Sequence, residues 1–291
     1  MVQSSDGPLM MRARAIFITG AASGIGRAIA CHFAAHGWFV GLADIDEAGM
    51  AQTGAMLGLA RWSAHRLDVR DAQGWDAALV ACAAQAGGSL DVVANNAGVP
   101  LGGDLADCSP EEIERIVAIN LTGAILGARA AHRWLAQAGG GGGTRPCLLN
   151  TASAAALYGT PGTSVYAATK AALRALTEAL DAEWAADGPG GRGIAVRSLM
   201  PGFIETPLLG HSLHEGSGHT IRDVITRAGL EITPVEVVAQ AAWRAVHGAR
   251  LHVTVGPTAR ALALAARWVP GLVRRRVRRR GETGRGEAAR D

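Results

Sequence analysis

A tyrosine and a lysine four positions apart, Tyr166 and Lys170, form the most informative pair of reactive side chains in this sequence. On a helix this spacing places both side chains on one face, a single turn apart. A tyrosine has an ordinary pKa of about 10, so it exchanges a proton near neutral pH only where a cation stabilises its phenolate. The pair therefore predicts general acid–base chemistry on an alcohol or a carbonyl group.

The lysine of this pair also stands out by composition. Of 28 basic residues, 27 are arginine and Lys170 is the only lysine. Lysine is a compact point charge with rotatable donors, whereas arginine presents a broad planar fork. The other tyrosine, Tyr158, has no lysine four residues after it. We interpret Lys170 as a functional residue, and a buried helix tyrosine with a satisfied hydroxyl is the alternative for Tyr166.

Two polar residues elsewhere in the chain suit the same chemistry. Ser153 ends an apolar run 13 residues before Tyr166, where its hydroxyl is able to donate a hydrogen bond to a substrate oxygen. Thr151 is the structural alternative at that strand end. Asn120 interrupts the apolar stretch IVAINLTGA, an unfavourable helical position for asparagine. A polar packing residue bonded to the backbone is the alternative there.

A glycine-rich segment, TGAASGIG at 19–26, follows the first apolar run and leads straight into a helical stretch. In this context glycines let backbone amides approach a pyrophosphate at a helix N-terminus. The spacing G-x-x-x-G-x-G differs from the common G-x-G-x-x-G. A tight strand-to-helix turn without a ligand is the alternative interpretation.

Asp44 closes the second apolar run, 18 residues after Gly26. A carboxylate there accepts hydrogen bonds from both hydroxyls of an adenosine ribose and repels a 2′-phosphate. Ile45 follows it, and Ser23 occupies the loop position where a base would hold that phosphate. The residues predict NAD rather than NADP, with a solvated strand-end aspartate as the alternative.

Short apolar runs alternate with amphipathic stretches along the chain. The predicted strands are 15–19, 38–44, 63–69, 90–97, 147–153, 194–200 and 251–256. The predicted helices are 24–36, 46–59, 71–86, 110–136, 164–186 and 234–247. This alternation predicts one doubly wound α/β domain with a seven-stranded parallel sheet flanked by helices. Ser109-Pro110-Glu111-Glu112 and Thr233-Pro234-Val235-Glu236 are predicted to begin two of the helices.

The reactive residues belong to a set of ordered motifs. The motifs are Thr19-Gly20-Ala21-Ala22-Ser23-Gly24-Ile25-Gly26, Asp68-Val69, Asn95-Asn96-Ala97-Gly98, Asn120, Ser153, Tyr166-Ala-Ala-Thr-Lys170 and Pro201-Gly202-Phe203-Ile204-Glu205-Thr206. Over residues 12–256 the sequence resembles the short-chain dehydrogenase/reductase family. The resemblance implies a Rossmann-type catalytic domain that transfers hydride between NAD(H) and a secondary alcohol or ketone.

The resemblance also implies a role for each reactive residue. Ser153 and Tyr166 hold the substrate oxygen, and Tyr166 transfers its proton. Lys170 holds the nicotinamide ribose and, with a water held by Asn120, relays that proton outward.

For the cofactor, the resemblance implies contacts along the whole chain. The implied NAD-binding residues are Gly20, Ser23, Gly24, Ile25, Gly26, Asp44, Asp68, Val69, Asn96, Tyr166, Lys170, Ile204 and Thr206. In this set Asp68 and Val69 frame the adenine, and Asn96 contacts the adenosine ribose region. Ile204 and Thr206 meet the nicotinamide carboxamide.

The substrate side is expected around residues 207–232, where the family places its lid. Segments 154–162 and 98–100 are small and apolar and carry no Arg or Lys. We therefore expect a neutral, fairly hydrophobic secondary alcohol or ketone, such as a steroid-like, terpenoid or aliphatic ring compound. The lid carries His211, His214, Glu215 and His219. Loop histidines are usually solvated, so no metal site is predicted.

Residues 257–291 are expected to form a basic C-terminal extension that is partly disordered or surface-bound. From Arg267 onward nine arginines accompany three acidic residues, and six of the arginines fall at 274–280. With Trp268, Val269, Leu272 and Val273 before them, they fit a short helix on an anionic membrane surface. A solvated or subunit-packed extension is the preferred interpretation, because charge runs are often merely disordered, and a nucleic-acid partner is not expected.

The chain ends and cysteines bear on location. The first residues are polar, and the apolar run after them is too short for a signal peptide or a membrane span. The cysteines stand singly, which predicts neither a disulfide framework nor a zinc site. They are Cys31, Cys82, Cys108 and Cys147. These features predict a soluble cytoplasmic protein.

Two alternative functions remain beside the NAD-linked dehydrogenase. One is an NADP-dependent 3-oxoacyl-thioester reductase. The other is a non-catalytic NAD-sensing scaffold, for which a broken Ser153, Tyr166 and Lys170 set is expected, whereas this set is intact. The family resemblance further implies a homo-oligomer, a tetramer or dimer built on the helices at 110–136 and 164–186.

Overall fold

Seven strands form one fully parallel sheet in the order β3-β2-β1-β4-β5-β6-β7. The computed structural model describes residues 13–138, 145–212, 218 and 220–278. The strands are β1 (Ala15–Thr19), β2 (Phe39–Asp44), β3 (Trp62–Arg66), β4 (Val92–Asn95), β5 (Cys147–Thr151), β6 (Ala195–Pro201) and β7 (His252–Val255). The strand order reverses between β1 and β4, and open α/β sheets bind ligands at the carboxyl ends of such a switch point. The predicted doubly wound fold is confirmed.

Helices cover both faces of the sheet. They are α1 (Gly24–Ala35), α2 (Glu47–Met56), α3 (Ala72–Gln85), α4 (Pro110–Val117), α5 (Gly123–Gln137), α6 (Ser164–Glu183), α7 (Ile221–Arg227), α8 (Val235–His247) and α9 (Pro257–Trp268). Along β1, Ile16 and Ile18 join a core with α1 and α8, whereas Ala15 and Phe17 join a core with α3 and α5. This alternation follows from the two-residue period of a strand.

The predicted helix at 110–136 is interrupted in the structure. A π-helical turn, Ala118–Thr122, separates α4 from α5 and packs against α6. Such a turn inserts one extra residue into a helix, and it occurs frequently at functional sites. Asn120 lies inside it, so the residue that looked unfavourable for a regular helix occupies an irregular one.

Both predicted helix starts are confirmed, but only one of them has the predicted side-chain cap. Ser109 and Glu112 exchange hydrogen bonds as a capping box at the start of α4. Thr233, in contrast, does not cap α8, which begins at Val235 with no side-chain cap. The Thr233 backbone instead bonds to Phe203 and Glu205. Pairing with a distant segment holds Thr233 in an extended conformation and removes it from the helix.

The segment at 207–232 contains a helix that the sequence analysis did not predict. Thr220 and Asp223 form a capping box at the start of α7. Asp223 fills the position where the usual signature has Glu or Gln. The segment is therefore partly ordered secondary structure.

The chain continues beyond β7 into α9, whose Ala259 is fully buried, and helical backbone extends over 270–278. The boundary between a catalytic domain and a C-terminal extension at 256 stays a prediction. Among the described residues, no helix is both long enough and apolar enough to cross a membrane.

Candidate active site

The first turns of α6 carry Tyr166 and Lys170, as the spacing predicted. Lys170 is only 5% exposed. Its Nζ donates a hydrogen bond of 2.9 Å to the carbonyl oxygen of Thr151 at the end of β5, and it lies 5.7 Å from the centre of the Tyr166 ring. Burial disfavours the charged ammonium and lowers the pKa of Lys170 to about 8. The amine is therefore able to exchange a proton close to neutral pH.

The pKa of the Tyr166 phenol is shifted in the direction opposite to the predicted one. Burial raises the pKa of Tyr166 above its ordinary value, and the hydrogen bond with Ser153 lowers it by less. The sequence analysis had required a cation that lowers this pKa. Desolvation outweighs any such effect in the structure, because the phenolate loses its water on entering the protein interior. Tyr166 is held in its protonated form.

Ser153 lies just beyond β5, where it begins the short helical turn Ala154–Ala156. Its Oγ accepts a hydrogen bond of 3.1 Å from the backbone N–H of Ala155. This bond leaves the Ser153 hydroxyl proton free for another acceptor, which fits the predicted donor role.

Thr151, the structural alternative to Ser153, has a role of its own. Its carbonyl oxygen receives the Lys170 ammonium, and its hydroxyl donates to Asn96 Oδ1 at 3.2 Å. Thr151 at the end of β5 therefore positions Lys170, and Ser153, two residues later, offers its hydroxyl to a substrate.

Asn120 is buried in the π-helical turn and pairs with the loop after β4. Its Oδ1 accepts from the Val99 N–H at 2.8 Å, and its Nδ2 donates to the Val99 carbonyl at 2.9 Å. A Cβ atom added to Gly98 would lie 3.2 Å from Asn120 Oδ1 and 3.4 Å from Lys170 Nζ. Glycine at 98 therefore keeps a narrow gap between the amide and the ammonium. The water relay implied for Asn120 stays a prediction.

The glycine loop between β1 and α1 depends on two glycines for different reasons. Gly20 adopts φ +67°, which L side chains rarely adopt. Gly26 has no such constraint, but a Cβ there would overlap the carbonyl oxygen of Gly20. A side chain is therefore excluded at Gly20 by the backbone conformation and at Gly26 by close packing.

The start of α1 fits the diphosphate of a dinucleotide. Ser23 is the N-cap, yet its side chain makes no capping hydrogen bond, and the first turn holds no acidic residue. The helix thus directs unpaired N–H groups and a partial positive charge at the loop. Ile25 packs against the core behind them, which fixes the helix start.

Asp44 stands beside this loop at the end of β2. Its Oδ2 accepts from the Ala22 N–H at 3.0 Å and its Oδ1 from the Asp46 N–H at 3.1 Å. Each carboxylate oxygen keeps a second lone pair. The arrangement fits the predicted ribose contact, which stays a prediction.

Asn96 joins the carboxyl ends of three central strands. Its Nδ2 donates to the Thr19 carbonyl at 2.9 Å, its N–H donates to Thr19 Oγ1 at 3.0 Å, and its Oδ1 accepts from Thr151. Thr19 Oγ1 in turn donates to the Ala94 carbonyl. The sequence analysis missed Thr19, although a hydroxyl residue directly before the first glycine of the loop was a usable signal.

The predicted adenine-framing residues follow β3. The Asp68 carboxylate forms an ion pair of 2.6 Å with Arg70, and hydrogen bonding from Arg70 lowers the pKa of Asp68. Val69 is buried, and its carbonyl oxygen accepts from the Trp75 indole at 2.9 Å. The sequence analysis did not anticipate Arg70 as a partner that occupies the Asp68 carboxylate.

The segment after β6 meets the glycine loop. A Cβ atom on Gly24 would lie 3.3 Å from Thr206 Cγ2, and Thr206 Oγ1 donates to the Ile204 carbonyl. Arg222 of α7 forms an ion pair with Glu205, which ties the lid segment to this loop. The structure thus brings Ile204 and Thr206 next to the predicted cofactor loop.

Arg27 is a further residue of this region that the sequence analysis missed. From the first turns of α1 its guanidinium bonds to the Ala22 carbonyl, to Thr53 Oγ1 at 3.0 Å and to Gln52 Oε1 at 3.3 Å. It braces the glycine loop against α2. The signal was a base one residue beyond the last glycine of the loop.

The histidines of the lid lie mostly outside the described residues. His211 is described, whereas His214, Glu215 and His219 are not. Where the structure does describe side chains, no three His, Cys, Asp or Glu residues are grouped to hold a metal ion.

Comparison with known proteins identifies the family of the chain. Residues 14–216 match the family model described as short chain dehydrogenase. The chain is 33% identical over 265 residues to a D-threitol dehydrogenase of Mycolicibacterium smegmatis, covering 88% of this chain and 96% of the relative. It is 30% identical to a meso-2,3-butanediol dehydrogenase of Serratia marcescens, covering 84% and 95%. Other curated relatives are longer, and the chain spans 33% and 45% of two of them.

Solved structures share the fold as well. A crystal structure of a short chain dehydrogenase/reductase from Burkholderia phymatum in complex with NAD superposes with a TM-score of 0.73 at 27% identity. The match covers 86% of this chain and 92% of that chain. The family model and the relatives span most of the sequence. The chain belongs to the short-chain dehydrogenase/reductase family.

Proposed function

We propose that this protein is an NAD(H)-dependent oxidoreductase that interconverts a neutral, fairly hydrophobic secondary alcohol and its ketone. One observation carries the proposal: the buried Lys170 lies one turn after Tyr166 on α6, with its Nζ 5.7 Å from the Tyr166 ring, and the Ser153 hydroxyl acts on the same phenol by lowering its pKa. All three side chains gather at the carboxyl end of β5, on the edge of the sheet where such folds bind ligands. This arrangement supplies two hydroxyls for one substrate oxygen and a cation behind them.

The roles of these residues follow from their protonation. In the reduction direction the protonated Tyr166 donates its proton to the carbonyl oxygen, and Ser153 donates a hydrogen bond to the same oxygen. Lys170, with a pKa of about 8, then returns a proton to the phenolate, and Asn120 holds the water that refills it. When bound, NAD(H) supplies or accepts the hydride. In the oxidation direction Tyr166 must first lose its proton, so the raised pKa of the phenol makes this direction faster at alkaline pH.

We assign the cofactor contacts to the loop at 19–26, to Asp44 and to the segment Ile204–Thr206. The uncapped start of α1 supports a diphosphate site, and the Asp44 carboxylate beside it supports NAD over NADP because it would repel a 2′-phosphate. Lys170 and Asn96 complete the set from the centre of the sheet. Asp68 and Val69 frame the adenine in this proposal.

A neutral substrate is supported by the walls around Ser153. The segments 154–162 and 98–100 carry no charged side chain, and Arg222 at the lid already pairs with Glu205. Two of the related enzymes are named for neutral diols, D-threitol and meso-2,3-butanediol. A substrate with a carboxylate or phosphate would find no free base at these positions.

A substrate panel with NAD⁺ and NADP⁺, followed by NADH or NADPH absorbance, tests the proposal. The panel contains D-threitol, meso-2,3-butanediol, cyclic alcohols, hydroxysteroids and, in the reverse direction, a β-ketoacyl thioester. We expect turnover of a neutral alcohol with NAD⁺ and tighter binding of NADH than of NADPH. Preference for NADPH with thioester reduction would favour the acyl reductase. Tight NADH binding without any turnover would favour the non-catalytic scaffold.

The proposal includes a homo-oligomer built on α4, α5 and α6, as the family resemblance implies. α5 exposes the large apolar side chain of Ile125, which is 43% exposed. Sedimentation equilibrium of the purified chain tests this part, and a monomer at micromolar concentration would contradict it.

A further inference from the structure

The C-terminal helical segment, defined as α9 together with residues 270–278, exposes a row of large apolar side chains. Leu264 is 64% exposed, Trp268 72% and Leu272 59%, and Val269 lies between them at 45%. Leu264 and Trp268 are four residues apart, which places them on one face of α9, and Leu272 is exposed on the helical turns that follow the break at Val269. A soluble surface rarely gathers apolar residues in this way without a function.

The same segment is purely basic. Between Glu236 and Glu282 the sequence contains ten arginines and no acidic residue. Several arginines elsewhere in the described chain pair with carboxylates, as in Arg70 with Asp68 and Arg133 with Asp76. On the segment, the exposed Arg267, Arg274–Arg276 and Arg278 form no ion pair within the described part of the chain. These positive charges are available to an external anion.

The segment is anchored to the body of the protein by its opposite side. Ala259 is fully buried at the start of α9, and Val273 is buried with Val277 half-buried four residues later. Arg274, Arg275 and Arg276 lie between these two valines in the sequence, and all three are exposed. The guanidinium of Arg267 lies 5.4 Å from the centre of the Trp268 ring, so the basic and aromatic groups are adjacent.

We propose that the C-terminal helical segment docks on an anionic lipid bilayer. Leu264, Trp268 and Leu272 enter the boundary between head groups and acyl chains, and the arginines contact the anionic head groups. Tryptophan is the aromatic residue best suited to this boundary, because its ring is apolar and its N–H is polar. Nucleic acid would use the arginines but leave the aliphatic side chains in water. A second copy of this acid-free segment would meet its own positive charge.

The segment lies on the substrate side of the sheet. α9 starts where β7 ends and contacts the turn Ala154–Ala156 that follows Ser153. Docking therefore brings the substrate edge towards the bilayer, where a lipophilic alcohol dissolves. This last point rests on the proposed function, whereas the docking itself does not.

The experiment is co-flotation of the full chain with large unilamellar vesicles, together with tryptophan fluorescence. Vesicles of pure phosphatidylcholine are compared with vesicles in which part of the lipid is phosphatidylserine. We expect binding to the anionic vesicles alone, a blue shift of the emission, and weaker binding at high salt because ions screen the surface charge. NADH binding in solution is measured in parallel as a check of the fold, so failure to turn over a substrate does not enter the result.

Two variants separate the apolar from the basic contribution. Replacing Trp268 and Leu272 by serine is expected to weaken partitioning about tenfold. Its matched control replaces Met56 and Leu59, which are exposed at the end of α2, and leaves partitioning unchanged. Replacing Arg274, Arg275 and Arg276 by glutamate is expected to weaken partitioning about 100-fold.

The control for the charge reversal carries the same net charge. It replaces the exposed Arg61, Arg192 and Arg250 by glutamate and is expected to retain most of the binding. Equal losses in both triple variants would overturn the proposal, because net charge alone would then explain it. If a DNA duplex displaced the protein fully from the vesicles, and the Trp268/Leu272 variant lost no binding, the segment would be a nucleic-acid-binding surface and the proposal would be wrong. If the native chain bound no vesicles and the Trp268/Leu272 variant changed its oligomeric state, the segment would be a contact between two copies of the chain and the proposal would be wrong.

Discussion

The two ends of α6 both carry polar clusters, but only one of them is built for chemistry. At the first turns, Tyr166 and Lys170 meet Ser153 and the Thr151 carbonyl. At the far end, Glu178 and Asp181 receive groups from β6 and β7. They are bonded by His252 Nε2 at 2.9 Å and by the Arg197 guanidinium at 2.8 Å, respectively.

The difference is the presence of a carboxylate. Arg197 and His252 each have an anionic partner, which holds them in place as structural groups. Lys170 has a neutral carbonyl partner, and burial lowers its pKa to about 8. A buried cation without an anion remains able to release its proton, whereas an ion-paired one is fixed.

The cluster at the far end of α6 also shows that a chain of hydrogen bonds between suitable side chains does not by itself define a catalytic site. Ser198 Oγ lies 2.7 Å from His252 Nδ1, and the other ring nitrogen reaches Glu178. This is the serine–histidine–acid order of a hydrolase. Ser198, however, is 0% exposed, so no substrate reaches its hydroxyl. Exposure to the ligand edge of the sheet separates the two clusters.

The largest expected effect is the replacement of Tyr166 by phenylalanine. Removing the proton donor is expected to lower kcat about 1,000-fold, since general acid–base groups contribute roughly 100- to 10,000-fold. NADH binding, followed by fluorescence, is expected to change little. The matched control is Tyr158→Phe, which removes a hydroxyl from the substrate wall but no proton donor, so kcat is expected to fall far less than in Tyr166→Phe. Equal activity of the two variants would place the chemistry elsewhere.

Removing one cation from each end of α6 tests the comparison directly. Lys170→Met is expected to lower kcat at least about 100-fold while raising the free energy of unfolding at pH 7 by about 1 kcal/mol, because a desolvated charge is removed. Arg197→Met is expected to lower the free energy of unfolding by about 2 kcal/mol, because Asp181 loses its partner. Urea unfolding and initial rates measure both. A stability loss in Lys170→Met would show that this lysine is structural.

The pH dependence of stability sharpens the same contrast. The pKa of Lys170 is about 8 in the folded protein and 10.5 in its ordinary state, so the unfolded chain binds the extra proton between these values. The free energy of unfolding of the native chain, relative to that of Lys170→Met, is therefore expected to rise by about 2 kcal/mol between pH 8 and pH 10. Taking the difference cancels the other titrating groups. If this difference in the free energy of unfolding did not change with pH, burial would not lower the pKa of Lys170, and other groups would stabilise its charge.

The smallest effect is expected at the far cluster. Ser198→Ala removes a buried hydroxyl that bonds to His252, and this is expected to lower the free energy of unfolding by about 1 kcal/mol. kcat is expected to stay within about twofold of the native value, measured with the same substrate as the other variants. A large loss of activity with unchanged stability would show that the Ser198–His252–Glu178 group takes part in catalysis.

Local patterns were enough to predict the sheet and the order of its strands along the chain. Apolar runs gave every strand to within a few residues, because the strands of a parallel sheet are buried on both faces. The same logic failed at Thr233, where bonds to Phe203 and Glu205 replaced a helix cap. The π-helical turn around Asn120 also has no local signature beyond an unfavourable asparagine.

Prediction of the site reached residue types and spacings but not their electrostatics. Tyr166 and Lys170 were expected one turn apart on a helix, and they are. The pKa direction of Tyr166 was wrong, since it depends on burial by elements far along the chain. The Asp68–Arg70 pair was missed although only Val69 separates the two residues in sequence, because closeness in the chain does not by itself show that two side chains face each other.

The solitary lysine has a practical consequence. A protease that cleaves only after lysine has a single target bond in the chain, between Lys170 and Ala171. In the folded protein that bond lies inside α6, and Lys170 is almost fully buried. Cutting there requires the first turns of α6 to open, so its rate reports the local unfolding of the turn that carries Tyr166.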